Sequence, residues 1–158
     1  MGFKVGEVKM HTFYTNNSEE TIAFGKKVGN LLLPNDVLLL AGDLGAGKTT
    51  FTKGIGIALD IKRVINSPTF TIVKEYHGKY DLYHLDLYRL DGLGDDFDLE
   101  EYFTSNGICV CEWPNNVEEI LPSEYLRIDI YREEADKRRF ELTPIGDRYI
   151  EIVRDLNA

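Results

Sequence analysis

The stretch Gly42-Asp43-Leu44-Gly45-Ala46-Gly47-Lys48-Thr49 constrains this chain more than any other. It fits the P-loop pattern GxxxxGK[ST], and its flanks fit as well. Asp36-Val37-Leu38-Leu39-Leu40-Ala41 before it reads as a buried strand, and Lys48 to Leu59 after it reads as a helix. Glycines at 42, 45 and 47 let the backbone curl and aim its N–H groups at phosphate oxygens. The helix N-terminus that follows favours an anion through its unpaired N–H groups and its dipole. The expected phosphate-binding set is Asp43, Leu44, Gly45, Ala46, Gly47, Lys48, Thr49 and Thr50. Within it, Lys48 is placed to reach the β/γ-phosphates and the Thr49 hydroxyl to bind Mg²⁺. The expected ligand is a nucleoside triphosphate.

At 158 residues the chain has the length of one domain and enough of it to bury a core. No apolar run approaches the roughly 20 residues of a membrane span. The opening Met1-Gly2-Phe3-Lys4-Val5-Gly6-Glu7 lacks the apolar centre of a signal peptide, so a cytoplasmic protein is expected. Cys109 and Cys111 are two apart in an apolar run, which places both on one face of a strand as free core thiols. The net charge of −9 argues against a protein that grips nucleic acid by its phosphates. Between Asp81 and Glu119 there are eleven acids and one base, Arg89, which suits a solvated face or a docking surface for a basic partner.

Along the chain, Lys9–Tyr14 reads as a first strand. Asn17 and Glu20 have capping-box spacing for a helix that runs toward Pro34-Asn35. Thr71–His77 and Tyr80–Leu87 flank His77-Gly78-Lys79 as a hairpin. Leu99–Phe103 has helical character, and Ile108-Cys109-Val110-Cys111 has the continuous apolar character of a central strand. Tyr125–Tyr131, Arg138–Thr143 and Tyr149–Val153 read as an antiparallel meander. The expected fold class is α/β: a single P-loop NTPase domain over residues 1–158. It would be a sandwich with a mixed parallel/antiparallel sheet and a mainly β C-terminal segment.

A P-loop needs an acid near the metal and a group to orient the attacking water or acceptor. Leu82-Tyr83-His84-Leu85-Asp86 ends in an aspartate, and Ile108-Cys109-Val110-Cys111-Glu112 ends in a glutamate. The run ending in Glu112 better fits a buried strand with an acid at its carboxyl end, where α/β sheets place ligands. The run ending in Asp86 reads as wetter, as a hairpin strand would be. Between these and the P-loop, Asn66-Ser67-Pro68-Thr69-Phe70-Thr71 offers two hydroxyls, Thr69 and Thr71, in a loop where a nucleotide-sensing switch can sit.

Four motifs together resemble the TsaE family, the small bacterial ATPases required for threonylcarbamoyladenosine modification of tRNA. They are Gly-Asp-Leu-Gly-Ala-Gly-Lys-Thr-Thr (42–50), Ser-Pro-Thr-Phe-Thr (67–71), His-Leu-Asp-Leu-Tyr-Arg-Leu (84–90) and Glu-Trp-Pro (112–114). The resemblance runs from near Ser18 to about Pro122, and the tail shares only a loose β character. It implies ATP as substrate and Mg²⁺ as cofactor, with Lys48 and Thr49 on phosphate and metal and Asp86 as the acid near the metal. It also implies Thr69 as the switch-like hydroxyl near the γ-phosphate, with Glu112 and Trp113 near the nucleotide. Either Asp86 or Glu112 can be the direct metal ligand. Lys48, Thr69 and Glu112 are the residues expected to act on the reacting phosphate. The implied partners are the TsaD and TsaB proteins, with tRNA reached only through them.

Two rivals share the P-loop. A GTPase-like switch would find a short DxxG match in Asp91-Gly92-Leu93-Gly94, but the chain has no Asn-Lys-x-Asp to read guanine. A small-molecule kinase would want an arginine-rich lid. Arg132, Lys137, Arg138 and Arg139 supply the charge, yet Glu133, Glu134 and Asp136 interrupt them, so the stretch reads as a solvated hairpin loop.

Overall fold

Five successive apolar residues, Val37–Ala41, leave a strand no polar side to turn toward water, so it has to lie inside a sheet covered on both faces. That is where it sits. The computed structural model describes residues 9–42, 46–65, 73–86, 100–104, 106–112 and 121–157. The strands are β1 (His11–Thr15), β2 (Val37–Ala41), β3 (Val73–Tyr76), β4 (Leu82–Asp86), β5 (Ile108–Glu112), β6 (Tyr125–Arg132) and β7 (Arg138–Ile145). They form one seven-stranded sheet in the order β1-β7-β6-β2-β5-β4-β3. The pairs β2–β5, β2–β6 and β4–β5 are parallel, while β1–β7, β6–β7 and β3–β4 are antiparallel. The sheet is therefore mixed as expected, parallel around the P-loop strand and antiparallel at both margins.

The helices are α1 (Ser18–Gly29), α2 (Lys48–Ala58), α3 (Glu100–Phe103) and α4 (Asp147–Leu156). Side chains alternate across a strand, so each strand contributes to two cores. Leu38, Leu40, Leu82, Ile108, Val110, Leu126, Ile128, Ile130, Phe140 and Leu142 turn to the face that carries α1, α2 and α4. Val37, Leu39, Ala41, Tyr83, Leu85, Cys109 and Cys111 turn to the other, where Phe103 of α3 packs. Cys109 and Cys111 are buried free thiols, and burial pushes the Cys109 thiol up to about 12.

Helix α1 starts as its sequence asks. Asn17 Oδ1 accepts the Glu20 N–H at 2.8 Å, and Glu20 Oε1 accepts the Asn16 N–H at 2.8 Å. This is a capping box whose return bond lands one residue before the N-cap. The helix ends at Gly29, ahead of Pro34. It crosses α2 with backbone against backbone: a Cβ on Gly25 would lie 2.1 Å from the Phe51 carbonyl oxygen. A Cβ on Gly54 would lie 2.1 Å from the Ile22 carbonyl oxygen. Around this crossing, the rings of Phe13, Phe24, Phe51 and Phe140 pack at centroid distances of 5.0–5.8 Å. The helix that follows the P-loop is thus held both against α1 and, through Phe51 on Phe140, against the sheet itself.

Two expectations are corrected. Tyr149–Val153 is helix, not a third meander strand. Over five residues the run satisfies both periods. Extended to Leu156, the buried positions Tyr149, Ile152, Val153 and Leu156 fall at the i, i+3, i+4, i+7 spacing of a helix face. Helix α4 is held by Arg148, whose Nε and Nη2 donate to Asp36 Oδ1 and Oδ2 at 3.1 and 2.9 Å. The Tyr149 hydroxyl accepts the Val37 N–H at 2.8 Å, which fixes the helix against the start of β2. The other correction concerns β4, which is buried along its whole length rather than wet on one side. It is an interior strand, flanked by β5 and β3, and helices cover the face that carries His84 and Asp86.

Candidate functional site

The parallel strands β2, β4, β5 and β6 all end on one edge of the sheet, and the described candidate side chains gather there. At the end of β2 the chain enters the P-loop through Gly42, whose φ is +153°. A Cβ there would meet the Ile130 carbonyl oxygen at 2.6 Å, so only glycine fits between loop and β6. Gly47 closes the loop with φ +112° and serves as N-cap of α2. With no side chain on Gly47 to cap the helix, the first-turn N–H groups of α2 are left to an anion.

Lys48, at the head of α2, is 9% exposed. Its ammonium donates to the Gly42 carbonyl at 2.9 Å, so the lysine arches back across the loop. On the far side it lies 3.8 Å from Glu112 Oε1. Glu112 is the last residue of β5 and stands in register with Asp86, the last residue of β4. Parallel neighbours lie about 4.8 Å apart, and residues in register share a face, so the two carboxylates end their strands side by side. Both are nearly buried, Asp86 at 8% and Glu112 at 6% exposed. Thr49, on the first turn of α2 next to Lys48, is partly buried and brings a hydroxyl-bearing residue to the head of that helix.

One member of the group went unread in the sequence. His84 is fully buried in β4, and its Nε2 lies 2.8 Å from Glu112 Oε2. Its signal was there in period two: His84 and Asp86 share the face of β4 that is turned toward α2. The parallel register of β4 on β5 then brings Glu112 alongside. A further unread contact comes from the hairpin. Arg138, expected in a solvated loop, donates its Nε–H to the Ala46 carbonyl at 2.9 Å. It also borders a hollow of about 30 Å³ with Ser18, Thr21, Gly47, Thr50 and Asp136. A larger cavity of about 330 Å³ lies on the β6 side of the loop, lined by Gly42, Ala46, Asp129 and Tyr131 among others. It touches none of Lys48, Asp86 and Glu112, which gather on the β5 side of the loop.

Asp43, Leu44, Gly45, Thr69, Arg89 and Trp113 lie outside the described residues. Lys48, Thr49, Asp86 and Glu112 are all described and occupy one edge of the sheet. Mg²⁺ takes hard oxygen donors and retains waters and substrate oxygens, so it needs one or two carboxylates rather than a protein cage. Among the described residues no three His, Cys, Asp or Glu side chains cluster as a cage. The donor set of a hydroxyl and two adjacent carboxylates fits Mg²⁺ on those terms.

The family model for threonylcarbamoyl adenosine biosynthesis protein TsaE matches residues 15–140. The chain belongs to the TsaE family. A Bacillus subtilis protein named tRNA threonylcarbamoyladenosine biosynthesis protein TsaE is 47% identical over 151 residues, covering 95% of this chain and 96% of the relative. A Treponema pallidum protein of the same name is 42% identical, over 73% of this chain and 87% of the relative. The crystal structure of Bacillus subtilis YdiB superposes with a TM-score of 0.82 at 45% identity, covering 95% of each chain. The TsaE likeness therefore extends well past Pro122, through β6 and β7, where a resemblance judged on four motifs stops. Arg138 falls inside the matched span.

Proposed function

We propose that the chain is a Mg²⁺-dependent ATPase, located in the cytoplasm, that acts as an accessory factor with the TsaD and TsaB proteins in threonylcarbamoyladenosine modification of tRNA. The observation that carries this reading is the convergence of Lys48, at the head of the P-loop helix, on Glu112 at 3.8 Å and on the strand end that Glu112 shares with Asp86. Membership in the TsaE family supports the pathway. Among the described residues no helix is long and apolar enough to cross a membrane.

In this reading the P-loop amides and the α2 N-terminus cradle the phosphate chain, and Lys48 carries positive charge to its outer end. Thr49 and Asp86 would hold Mg²⁺, with Glu112 as a further or alternative ligand. Held there, Mg²⁺ would supply positive charge against the phosphate oxygens. In this reading Glu112 accepts a hydrogen bond from the attacking water and so orients it. The near-burial of Lys48, Asp86 and Glu112 strengthens each of these interactions relative to water. Thr69 is proposed as the hydroxyl that senses the γ-phosphate.

The test is Mg²⁺-dependent hydrolysis of ATP and of GTP by the purified protein, alone and with a TsaB–TsaD complex. ATP-selective turnover that rises with those proteins is the expected result. A preference for GTP, or turnover indifferent to the partners, points instead to the switch or kinase alternatives.

A further inference from the structure

His84 is fully buried at a position where a leucine would pack as Leu82 and Leu85 do on the same strand. An imidazole there is costly unless it is hydrogen-bonded. Its Nε2 is bonded to Glu112 Oε2 at 2.8 Å, whereas the other oxygen, Oε1, is the one 3.8 Å from Lys48 Nζ. The carboxylate of Glu112 is thus divided between two neighbours. One oxygen is tied to the interior of the sheet and the other is turned toward the P-loop lysine. With Glu112 as a carboxylate, an acceptor only, the bond is donated from Nε2–H, while Nδ1 is buried without a hydrogen-bond partner.

We infer that His84 is a positioning residue: by holding Oε2 it fixes the Glu112 side chain in the rotamer that presents Oε1 to the phosphate site. The inference rests on the proposed role of Glu112 and assigns its working oxygen. A glutamate at a strand end has three rotatable bonds, and a group that orients a water has to be held to within about 0.5 Å. The bond from an adjacent, fully buried strand residue supplies that restraint before any ligand arrives. A purely structural histidine would contribute to stability and leave the chemistry of Glu112 unchanged.

Two substitutions of similar polarity separate these cases. The amide nitrogen of His84→Gln reaches the place of Nε2, whereas that of His84→Asn stops short of it. Both are expected to bind ATP as the native protein does. His84→Asn is expected to lower kcat by about 10-fold or more, with KM for ATP within about twofold, and His84→Gln to recover most of the loss. Equal kcat in the two variants, or a loss confined to KM, overturns the inference. Glu112→Asp keeps the charge but draws the carboxylate back from His84. A similar fall in kcat is expected there, and native turnover overturns the inference whether or not the His84 variants fold.

A readout independent of turnover is the imidazole Nε2–H proton of the native protein by NMR. It is expected to be protected from exchange and to move upfield in Glu112→Gln. An exchanging, unshifted proton removes the anchor. If the anchor is present but native turnover equals that of Lys48→Ala, the ATPase reading fails and the positioning role falls with it.

Discussion

Arg138 donates its Nε–H to the carbonyl of Ala46 at 2.9 Å, joining the β6–β7 hairpin to the P-loop across 92 residues of sequence. The same guanidinium lies 3.7 Å from where a Cβ on Gly47 would stand, and its Nη1 returns to the Ala135 and Lys137 carbonyls at 3.1 Å. The hairpin therefore braces the P-loop at Ala46. Arg138→Ala is expected to weaken ATP binding by about 5- to 10-fold, as loss of one partly buried charge-assisted hydrogen bond implies. Calorimetric titration with ATP checks this, and unchanged affinity would show the brace to be idle.

Lys48→Ala removes the positive charge at the head of the P-loop helix, which the proposed function assigns to the outer phosphates. It is expected to abolish measurable hydrolysis while the circular dichroism spectrum and melting curve stay close to native. Undiminished turnover in that variant would sink the site assignment.

Asp86 and Glu112 end neighbouring strands in register, and Glu112 is the one tied to His84 at 2.8 Å. Their removal is therefore expected to differ in kind. Asp86→Asn should raise the Mg²⁺ concentration needed for half-maximal turnover by about 10-fold or more. Glu112→Gln should lower kcat at saturating Mg²⁺. Metal titrations of hydrolysis in the two variants decide it, and identical profiles would mean the two carboxylates act as one ligand set.

Gly54 sits where α2 meets α1, and a Cβ added to it would stand 2.1 Å from the Ile22 carbonyl oxygen. That neighbour is backbone and has nowhere to go. Gly54→Ala is expected to destabilise the fold by about 1–3 kcal/mol despite alanine's better helix propensity. Urea denaturation checks the sign, and a stabilised variant would mean the helices can part without cost.

Alkaline pH should unfold the chain in a defined window. Burial pushes the Tyr149 hydroxyl up to about 12 from an ordinary value of 10.0, and the Cys109 thiol up to about 12 from 9.0. The unfolded chain then loses these protons first. Their contribution to stability is complete below about pH 9 and is lost progressively as pH rises toward 12. Tyr149→Phe should flatten the part of that decline above pH 10. It should also cost about 1 kcal/mol at neutral pH, because the Val37 N–H loses its acceptor. Melting temperature against pH in the two proteins measures both effects.

The P-loop was legible because its chemistry is local. Glycines, lysine and threonine lie within eight residues, between a run that can only be a buried strand and one that can only be a helix. Asp86 and Glu112 were legible as strand-ending acids for the same reason. The C-terminal helix was misread because five residues do not distinguish a period of two from one of 3.6. Its decisive partners, Asp36 and Val37, are more than a hundred residues away. Strand β4 was misjudged as wet because a hairpin strand can lie at an edge or inside. Only the pairing with β5 places it inside.

By itself the sequence determined the P-loop motif, most of the strands and helices around it, the pair of acids and the likeness to the TsaE family. Each of these is carried by residues close together in the chain or by motifs read in order. What the tertiary structure alone decided is which of those residues meet. Parallel register brings His84 alongside Glu112, the ends of β2 and β5 bring Gly42 and Glu112 to Lys48, and the returning hairpin delivers Arg138 to the loop. Such contacts depend on sheet order and strand register. Those are settled by packing among distant segments, which no local pattern of residues encodes.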